Sequence, residues 1–491
     1  MRRPLPTRLL AGVVAAIVTV ATPLAAQDEL RPVAPPGPAV LSANQALARE
    51  VYREMVQTNT VDSVGSVTVL AEKIAKRFRA AGFPAKDIHL LVPPGKPTKG
   101  NLIVRYRGRA GAGGPKPIML LAHLDVVAAN RADWPRDPFV LHEADGYFLG
   151  RGTADDKAMA AIFVANLLKW KREGWVPERD LILALTSDEE GGEANGVEWL
   201  LANHRALIDA EYAINEGGGG TLQGDTPIFH AIQAAEKVPV NFTLTTRNPG
   251  GHSSQPRRDN AIYQLVGALD KVARYRFPVA LNAVTRAFFE QTARVERPEV
   301  AAAMRALLAD PADSAADALL SRDPRYNSTL RTTCVATRLL GGHAYNALPQ
   351  TATANVNCRI VPTSTLEEVQ AELVRVIGDR GVQVTLTVPT RERFGAAPSP
   401  VEPALLRATT ELTTAQWGGI PVVPLMSTGA TDGRFLRAAG IETYGVSGLF
   451  SNTGETNSHG RDEKMRVRSF YEGLEFLDKL VQRVAGGAPR S

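Results

Sequence analysis

Five short stretches of the chain carry side chains of the kind that hold divalent metal ions. His123-Leu124-Asp125 follows the apolar run 118–122. In an extended chain residues two apart share a face, so an imidazole and a carboxylate emerge together, and a metal-binding His commonly donates its second ring N–H to such a carboxylate. Residues 150–157 read Gly-Arg-Gly-Thr-Ala-Asp-Asp-Lys and place Asp155 and Asp156 just before a helical segment. Ser187-Asp188-Glu189-Glu190-Gly191-Gly192 stands at the end of the run 181–185, and Glu216 follows 212–214 and precedes four glycines. His459 lies in a Gly-, Ser- and Asn-rich loop, Thr456-Asn457-Ser458-His459-Gly460.

Each stretch alone has a plainer reading: a structural hydrogen bond for His123 and Asp125, helix capping for Asp155 and Asp156, a solvated turn for 187–192, a polar surface residue for His459. Together they return His and carboxylates to one edge of the same predicted sheet, and in open α/β sheets ligands bind outside the carboxyl ends of the strands. Two imidazoles and three carboxylates without thiolates suit zinc or another borderline divalent ion. A carboxylate bridging two ions roughly 3.5–4 Å apart would ready a water for attack near neutral pH.

The elements that must position these groups follow from periodicity. Residues 44–79 have helix-period apolar positions ending near Gly82. Strand-length apolar runs at 101–107, 117–122, 180–186 and 211–214 alternate with helical stretches at 158–173 and 197–203, which indicates an α/β sheet with helices on its faces. From about Lys237 the pattern becomes half-buried alternation, at 238–246, 332–339, 351–360 and 382–388, and the first pattern resumes near Pro403. The expected architecture is a catalytic α/β domain with a mixed sheet, in two parts (27–236 and 393–491), and an inserted α+β lid or dimerisation-type domain with a four-stranded sheet (237–392). Residues 285–325 read as extra helices within the insertion.

Composition narrows the function classes. Arg2, Arg3 and Arg8 precede the uncharged apolar run 9–21, and Ala25-Ala26 offers a small-residue cleavage site, so residues 1–26 read as a secretory signal and the protein as exported, periplasmic or secreted. The run spans about 13 residues, short of the ~20 of a membrane-spanning helix, and no stable anchor is expected after cleavage. About 465 residues remain, too many for one core, hence two domains. A formal charge of +5 with scattered Lys and Arg argues against nucleic acid as a partner. No Gly-rich loop followed by Lys and Ser or Thr suggests phosphate transfer. Cys334 and Cys358, the only two cysteines, exclude a disulfide framework and a thiolate-rich metal site; one bridge and two separate buried thiols both remain open.

Taken in order, these residues resemble the dinuclear-zinc peptidases and deacylases that include carboxypeptidase S, glutamate carboxypeptidase, aminoacylase and succinyl-diaminopimelate desuccinylase. The likeness runs from about residue 50 to 480. It is strongest across Ala122-His123-Leu124-Asp125-Val126-Val127, with Trp134 and Pro138-Phe139 following, and through 150–157, which looks like carboxypeptidase S.

The resemblance implies two divalent ions per chain, zinc first, with cobalt or manganese as alternatives. His123 and Glu216 would hold one ion, Glu190 and His459 would complete the pair, and Asp155 would bridge. Asp125 would orient His123, and Asp156 would follow Asp155 through a cis peptide. Glu189 falls on the family's general base, which would take a proton from the attacking water and later protonate the leaving amine. In the insertion, His252 in Gly250-Gly251-His252-Ser253-Ser254 matches the His that contacts the developing oxyanion, although a capped turn would also explain it. Asn346 and Arg359 match paired positions, and Arg359 could hold a substrate carboxylate in a bidentate fork; a sheet-surface ion pair is the plainer alternative. Residues 427–434, Ser-Thr-Gly-Ala-Thr-Asp-Gly-Arg, resemble a loop whose backbone lies against substrate in the desuccinylase, which makes Gly429 and Arg434 substrate contacts; a loop-to-helix turn is equally compatible.

The implied function is exported hydrolysis of an amide or peptide bond in small peptides, of carboxypeptidase or dipeptidase type, with N-acyl amino acid deacylation as the alternative. Glutamate rather than aspartate at position 216 resembles the carboxypeptidase and deacylase members. An inactive exported binding protein is a distant alternative, since Glu189 and all five candidate ligands are present. The helices expected at 285–325 point towards a monomer, with a homodimer as the alternative.

Overall fold

The computed structural model describes residues 33–387, except 112 and 192, and residues 396–489, except 402. The secretory segment 1–26, Gly192 of the acidic turn, Val388 and the expected boundary at 392/393 lie outside the described residues.

The helix-period segment near the start folds as two helices, α1 (Ala43–Val56) and α2 (Val67–Ala80), each opened by a serine whose hydroxyl accepts a backbone N–H. A large sheet follows, built from β1 (Ile88–Leu91), β2 (Asn101–Tyr106), β3 (Ile118–His123), β4 (Leu181–Thr186), β5 (Tyr212–Asn215), β6 (Gly219–Gln223) and β7 (Thr226–Glu236). Between β3 and β4 runs α3 (Lys157–Glu173), stopped by Gly174 in the left-handed conformation. A short helix, α4 (Gly196–Asn203), connects β4 to β5.

One residue beyond β7 the chain enters a second sheet, which comprises β8 (Val238–Arg247), β9 (Thr333–Gly341), β10 (Thr351–Ile360) and β11 (Val382–Leu386) in the order β9-β10-β8-β11, all antiparallel. Its inner face packs on α5 (Ala261–Arg274) and α10 (Leu366–Ile377) through Phe242, Leu244, Val356, Leu265 and Leu373. Between α5 and β9 lie α6 (Ala283–Thr292), α7 (Pro298–Ala309), α8 (Ser314–Leu320) and α9 (Pro324–Leu330). After α10 and β11 the chain forms α11 (Ala404–Trp417), β12 (Val422–Ser427), α12 (Gly433–Ala438), β13 (Glu442–Gly445), β14 (Phe450–Asn452) and α13 (Val467–Ala485). These strands complete a ten-stranded mixed sheet in the order β1-β2-β4-β3-β5-β13-β7-β6-β14, with β12 on β7.

Alternating side chains of the large sheet feed two cores. Leu102, Leu120 and Leu183 face α1, α3 and α13, while Ile103, Met119 and Ile182 join Val197, Leu200 and Leu436 on the other face. Both faces are therefore dry, as expected for parallel strands under helices.

Three expectations change in detail. Half-buried alternation holds in β8 and β10, but β9 is exposed along its last seven residues: it is an edge strand, paired on one side only, and Val335, Leu339 and Leu340 face solvent. The extra helices form where expected in sequence, yet their core includes Val423, with Leu425 and Phe229 packed against it, so they pack on β12 of the large sheet. Finally, Cys334 and Cys358 are bridged. They sit directly opposite on β9 and β10, with Cα atoms 4.0 Å apart.

Candidate metal centre

Three parallel neighbours, β4, β3 and β5, end at the same edge of the large sheet. In register, His123 faces Thr186, so the chain leaving β4 carries Glu189 and Glu190 towards His123, and the chain leaving β5 brings Glu216. Asp155 arrives from the turn before α3 and His459 from the loop before α13. The sheet edge gathers residues more than 300 positions apart.

The Asp155 carboxylate lies between two imidazoles. One oxygen is 2.9 Å from His123 Nε2 and the other 3.1 Å from His459 Nε2. Glu216 Oε2 is 3.9 Å from His123 Nε2, and Glu190 Oε2 is 3.0 Å from His459 Nε2. Donor atoms of His123, Asp155 and Glu190 all fall within 4.8 Å of one another, as do those of His123, Glu189 and Glu216. These two donor groups share His123, while the pairwise distances put His123 with Glu216 and His459 with Glu190 on either side of Asp155. The Asp155–Asp156 peptide is cis. Neither acid acts as a side-chain cap for α3: Asp156 occupies the cap position without a capping bond.

The donor set fits a pair of cations. Six carboxylates, Asp125, Asp155, Asp156, Glu189, Glu190 and Glu216, crowd this edge, and burial first, then repulsion by neighbouring acids, pushes Glu189 up to about 8 and Glu190 up to about 7. Burial and neighbouring acids likewise raise Asp156 and Glu216. Asp125 Oδ1 and Asp156 Oδ2 are buried without a hydrogen-bond partner. Like charges packed this closely are compensated by bound cations, and imidazole plus carboxylate donors are those zinc accepts.

Asp125 supports the cluster in two ways. Its backbone carbonyl is 3.1 Å from His123 Nδ1, nearer than its carboxylate at 3.6 Å, and the carboxylate also accepts the backbone N–H of Glu190 at 3.0 Å. It therefore links an imidazole to the acidic turn.

Several supporting residues escape sequence reasoning. Glu463 is buried and accepts backbone N–H groups from Gly152, Ala154 and Asp155 together with the Arg151 guanidinium. Arg151 lies over Trp134, 5.1 Å from its ring centroid, and its backbone N–H donates to Pro138. Gly152 has φ 80°, and a Cβ there would stand 2.7 Å from Val126, so the loop requires glycine. Under the acidic turn, Asp188 (φ 65°) pairs with buried Lys99, and Asn195 donates to Asp432 at 2.6 Å. Burial raises Asp432 to about 6.

The remaining predicted residues lie on or near the second sheet. His252 is exposed on a two-residue strand opposite Ala347, its Nδ1 2.8 Å from Ser254 Oγ, and the backbone carbonyl of the exposed Asn346 accepts the Ser253 N–H at 3.0 Å. Arg359 is half-buried, and burial together with the field of Arg434 lowers its pKa. Arg359 stands on β10 and Arg434 on α12, and the two guanidiniums feel each other's field, a cationic corner suited to a carboxylate. The 427–434 loop is pinned by Glu236, which accepts the Thr431 N–H and pairs with Arg437. Gly429 is exposed within it. The structure thus gathers His123, Asp155, Glu189, Glu190, Glu216 and His459 at one centre, brings Arg359 and Arg434 together, and leaves His252 and Asn346 on a separate exposed hairpin.

Residues 119–483 match the model of peptidase family M20/M25/M40. The chain belongs to that family. Among M20 relatives, it is 28% identical to human N-fatty-acyl-amino acid synthase/hydrolase PM20D1 over 75% of this chain and 74% of that protein. It is 27% identical to a probable carboxypeptidase S-like 2 of Dictyostelium discoideum, over 75% of this chain and 71% of that one. The fold matches an M20 metallo-carboxypeptidase of Sulfolobus solfataricus with a TM-score of 0.62 at 18% identity, covering 89% of this chain and 98% of that one. Membership of M20 makes the chain a metallopeptidase or amidohydrolase acting on C–N bonds.

Proposed function

We propose that this chain is an exported, dinuclear-metal hydrolase that cleaves the amide bond of small peptides, and that it acts as a monomer. The observation that carries the reading is the Asp155 carboxylate spanned by His123 and His459, with Glu216 and Glu190 beside them. His123, Glu216 and Asp155 would hold one ion, and His459, Glu190 and Asp155 the other. Bound there, two divalent ions, zinc suiting this donor set, would supply Lewis acidity and lower the pKa of a water.

The chain's own residues do the rest. Glu189, next to the ligand Glu190 and with its donor atom within 4.8 Å of those of His123 and Glu216, is placed to act as the base. It takes the proton of the attacking water as the new C–O bond forms, then delivers that proton to the nitrogen as the C–N bond breaks. His252, whose exposed hairpin stands outside the ligand cluster, takes from the family resemblance the role of donor to the oxyanion that develops on the carbonyl. Arg359, with Arg434 alongside and Asn346 on the hairpin, holds the substrate's terminal carboxylate.

A second reading, N-acyl amino acid deacylation, is favoured by the likeness to PM20D1 and by 23% identity to mouse aminoacylase-1 over 89% of this chain. Export is supported by the features of residues 1–26 and by the Cys334–Cys358 bridge, a bond that persists in oxidising compartments. A monomer is supported by the four helices α6–α9, which lie over β12. The tests are turnover of a panel of dipeptides and N-acyl amino acids by the purified protein, N-terminal sequencing after expression with the leader, and sedimentation, where a tight dimer would refute the monomer.

A further inference from the structure

The turn that carries Glu189 has to be held in place. Asp188, the residue before it, has φ 65°, a sparsely populated conformation that persists only where the surroundings enforce it. Part of that enforcement is local. The Gly196 N–H donates to the Ser187 carbonyl at 2.7 Å, the Ala194 N–H donates to the Asp188 carboxylate at 2.8 Å, and Lys99 pairs with the same carboxylate.

The rest comes through Asn195. Its Oδ1 accepts the Glu198 N–H at 2.9 Å as the cap of α4, which leaves its amide N–H groups facing the other way. They donate to the Asp188 carbonyl at 3.4 Å and to Asp432 Oδ1 at 2.6 Å. That carbonyl belongs to the peptide joining Asp188 to Glu189. The second Asp432 oxygen accepts the Thr186 hydroxyl at 3.3 Å, where β4 ends. Asp432 is 2% exposed, and it grips the acidic turn from both ends.

Its chain neighbour reaches the next ligand strand. Thr431 Oγ1 accepts the Asn215 side-chain N–H at 3.2 Å, and Asn215 immediately precedes Glu216. Two consecutive residues of the 427–434 loop therefore hold the chain ends on either side of His123, since β4 and β5 both flank β3.

Resting on the hydrolase reading above, we infer that Asp432 is a positioning residue for the general base: through Asn195 and Thr186 it fixes the turn that aims Glu189, and it ties that turn to the loop carrying Arg434. Its two hydrogen-bond partners are not metal ligands, so its loss disturbs the aim of the base and leaves the ions bound.

The test compares variants with the unmodified zinc-loaded protein on the best substrate of the dipeptide and N-acyl amino acid panel. Asp432→Ala should lose about 10–100-fold in kcat, with KM changed by less than about twofold and metal content intact. Asp432→Asn should recover most of that rate, because its carbonyl can accept from Asn195 while its NH2 donates to Thr186 Oγ1. Asn195→Ala breaks the tether from the other end, and adding Asp432→Ala to it should cost little more. Amide hydrogen exchange reads the tether without turnover. The N–H groups of Ser187, Glu190, Ala194 and Gly196 are all hydrogen-bonded and should exchange faster in Asp432→Ala, while those of Gly152 and Ala154, bound to Glu463, should not. Normal kcat with unchanged exchange, a rise in KM alone, loss of metal, or equal losses in Asp432→Ala and Asp432→Asn would each overturn the positioning role and leave the hydrolase standing. If the unmodified protein cleaves no member of the panel, the hydrolase reading fails; unchanged exchange in Asp432→Ala would then overturn the tether as well, and faster exchange would uphold it.

Discussion

The Glu463 carboxylate accepts the backbone N–H of Asp155 at 3.1 Å, while also accepting from Ala154 at 2.7 Å, Gly152 at 2.9 Å and the Arg151 guanidinium at 2.7 Å. One buried anion therefore sets the turn that presents the shared metal ligand. Groups that orient metal ligands are worth about 10–100-fold in metal affinity. Glu463→Gln should lose affinity in that range by chelator competition. It should also lose about 3–5 kcal/mol of stability, because Arg151 is left as a buried charge without its partner. Loss of stability with unchanged metal affinity would confine Glu463 to a purely structural role.

Glu189→Gln separates binding from chemistry. Removing a general base costs about 10²–10⁴ in rate, so kcat should fall by that factor while the protein still retains two metal ions per chain by elemental analysis. Near-normal turnover would refute the assignment of the base.

Much of this centre was legible in sequence because the ligands stand where strands end. His123, Glu190 and Glu216 each follow an apolar run, and parallel pairing of β3 with β4 and β5 turns that repeated placement into proximity. Asp155 and His459 stood out as candidate donors, but their meeting at one bridging carboxylate was legible only through resemblance, since no local periodicity brings residues some 300 positions apart together. The supporting layer was hidden for a different reason. Glu463 and Asp432 act through backbone amides and buried side chains of distant segments, and an isolated acid in a loop carries no periodic signal. The helices α6–α9 were legible as helices, but their docking on β12 depends on Phe289, Met304 and Val423 meeting across the fold. The exposure of β9 follows from its place at a sheet edge, which alternation alone does not report.

His252 should matter to the transition state alone. It lies on an exposed hairpin outside the ligand cluster, and removing one oxyanion donor costs about 10²–10³ in kcat. His252→Ala should show that loss with KM changed little and metal content intact. A change in KM alone would make it a binding residue.

A buried histidine gives the fold a defined acid sensitivity. His230 packs against Trp417, Phe450 and Phe476, with Nδ1 2.9 Å from Thr413 Oγ1 and Nε2 without a partner, and burial lowers its pKa to about 3. Unfolded, the imidazole titrates near ~6.5. Between those values the unfolded chain binds a proton that the folded chain does not, so the contribution is fully present above about 6.5 and is lost as pH falls towards 3. Denaturant titrations should show the stability of His230→Phe falling less steeply across that window, by up to about 1.4 kcal/mol per pH unit. Parallel curves would contradict the assignment.

The most direct test of the central claim is hydrolysis before chelation, after chelation and after zinc is restored, with metal content measured at each stage. The account predicts two ions per chain, loss of turnover when they are removed, and recovery as the second ion is replaced. Undiminished turnover by the metal-free protein would contradict it.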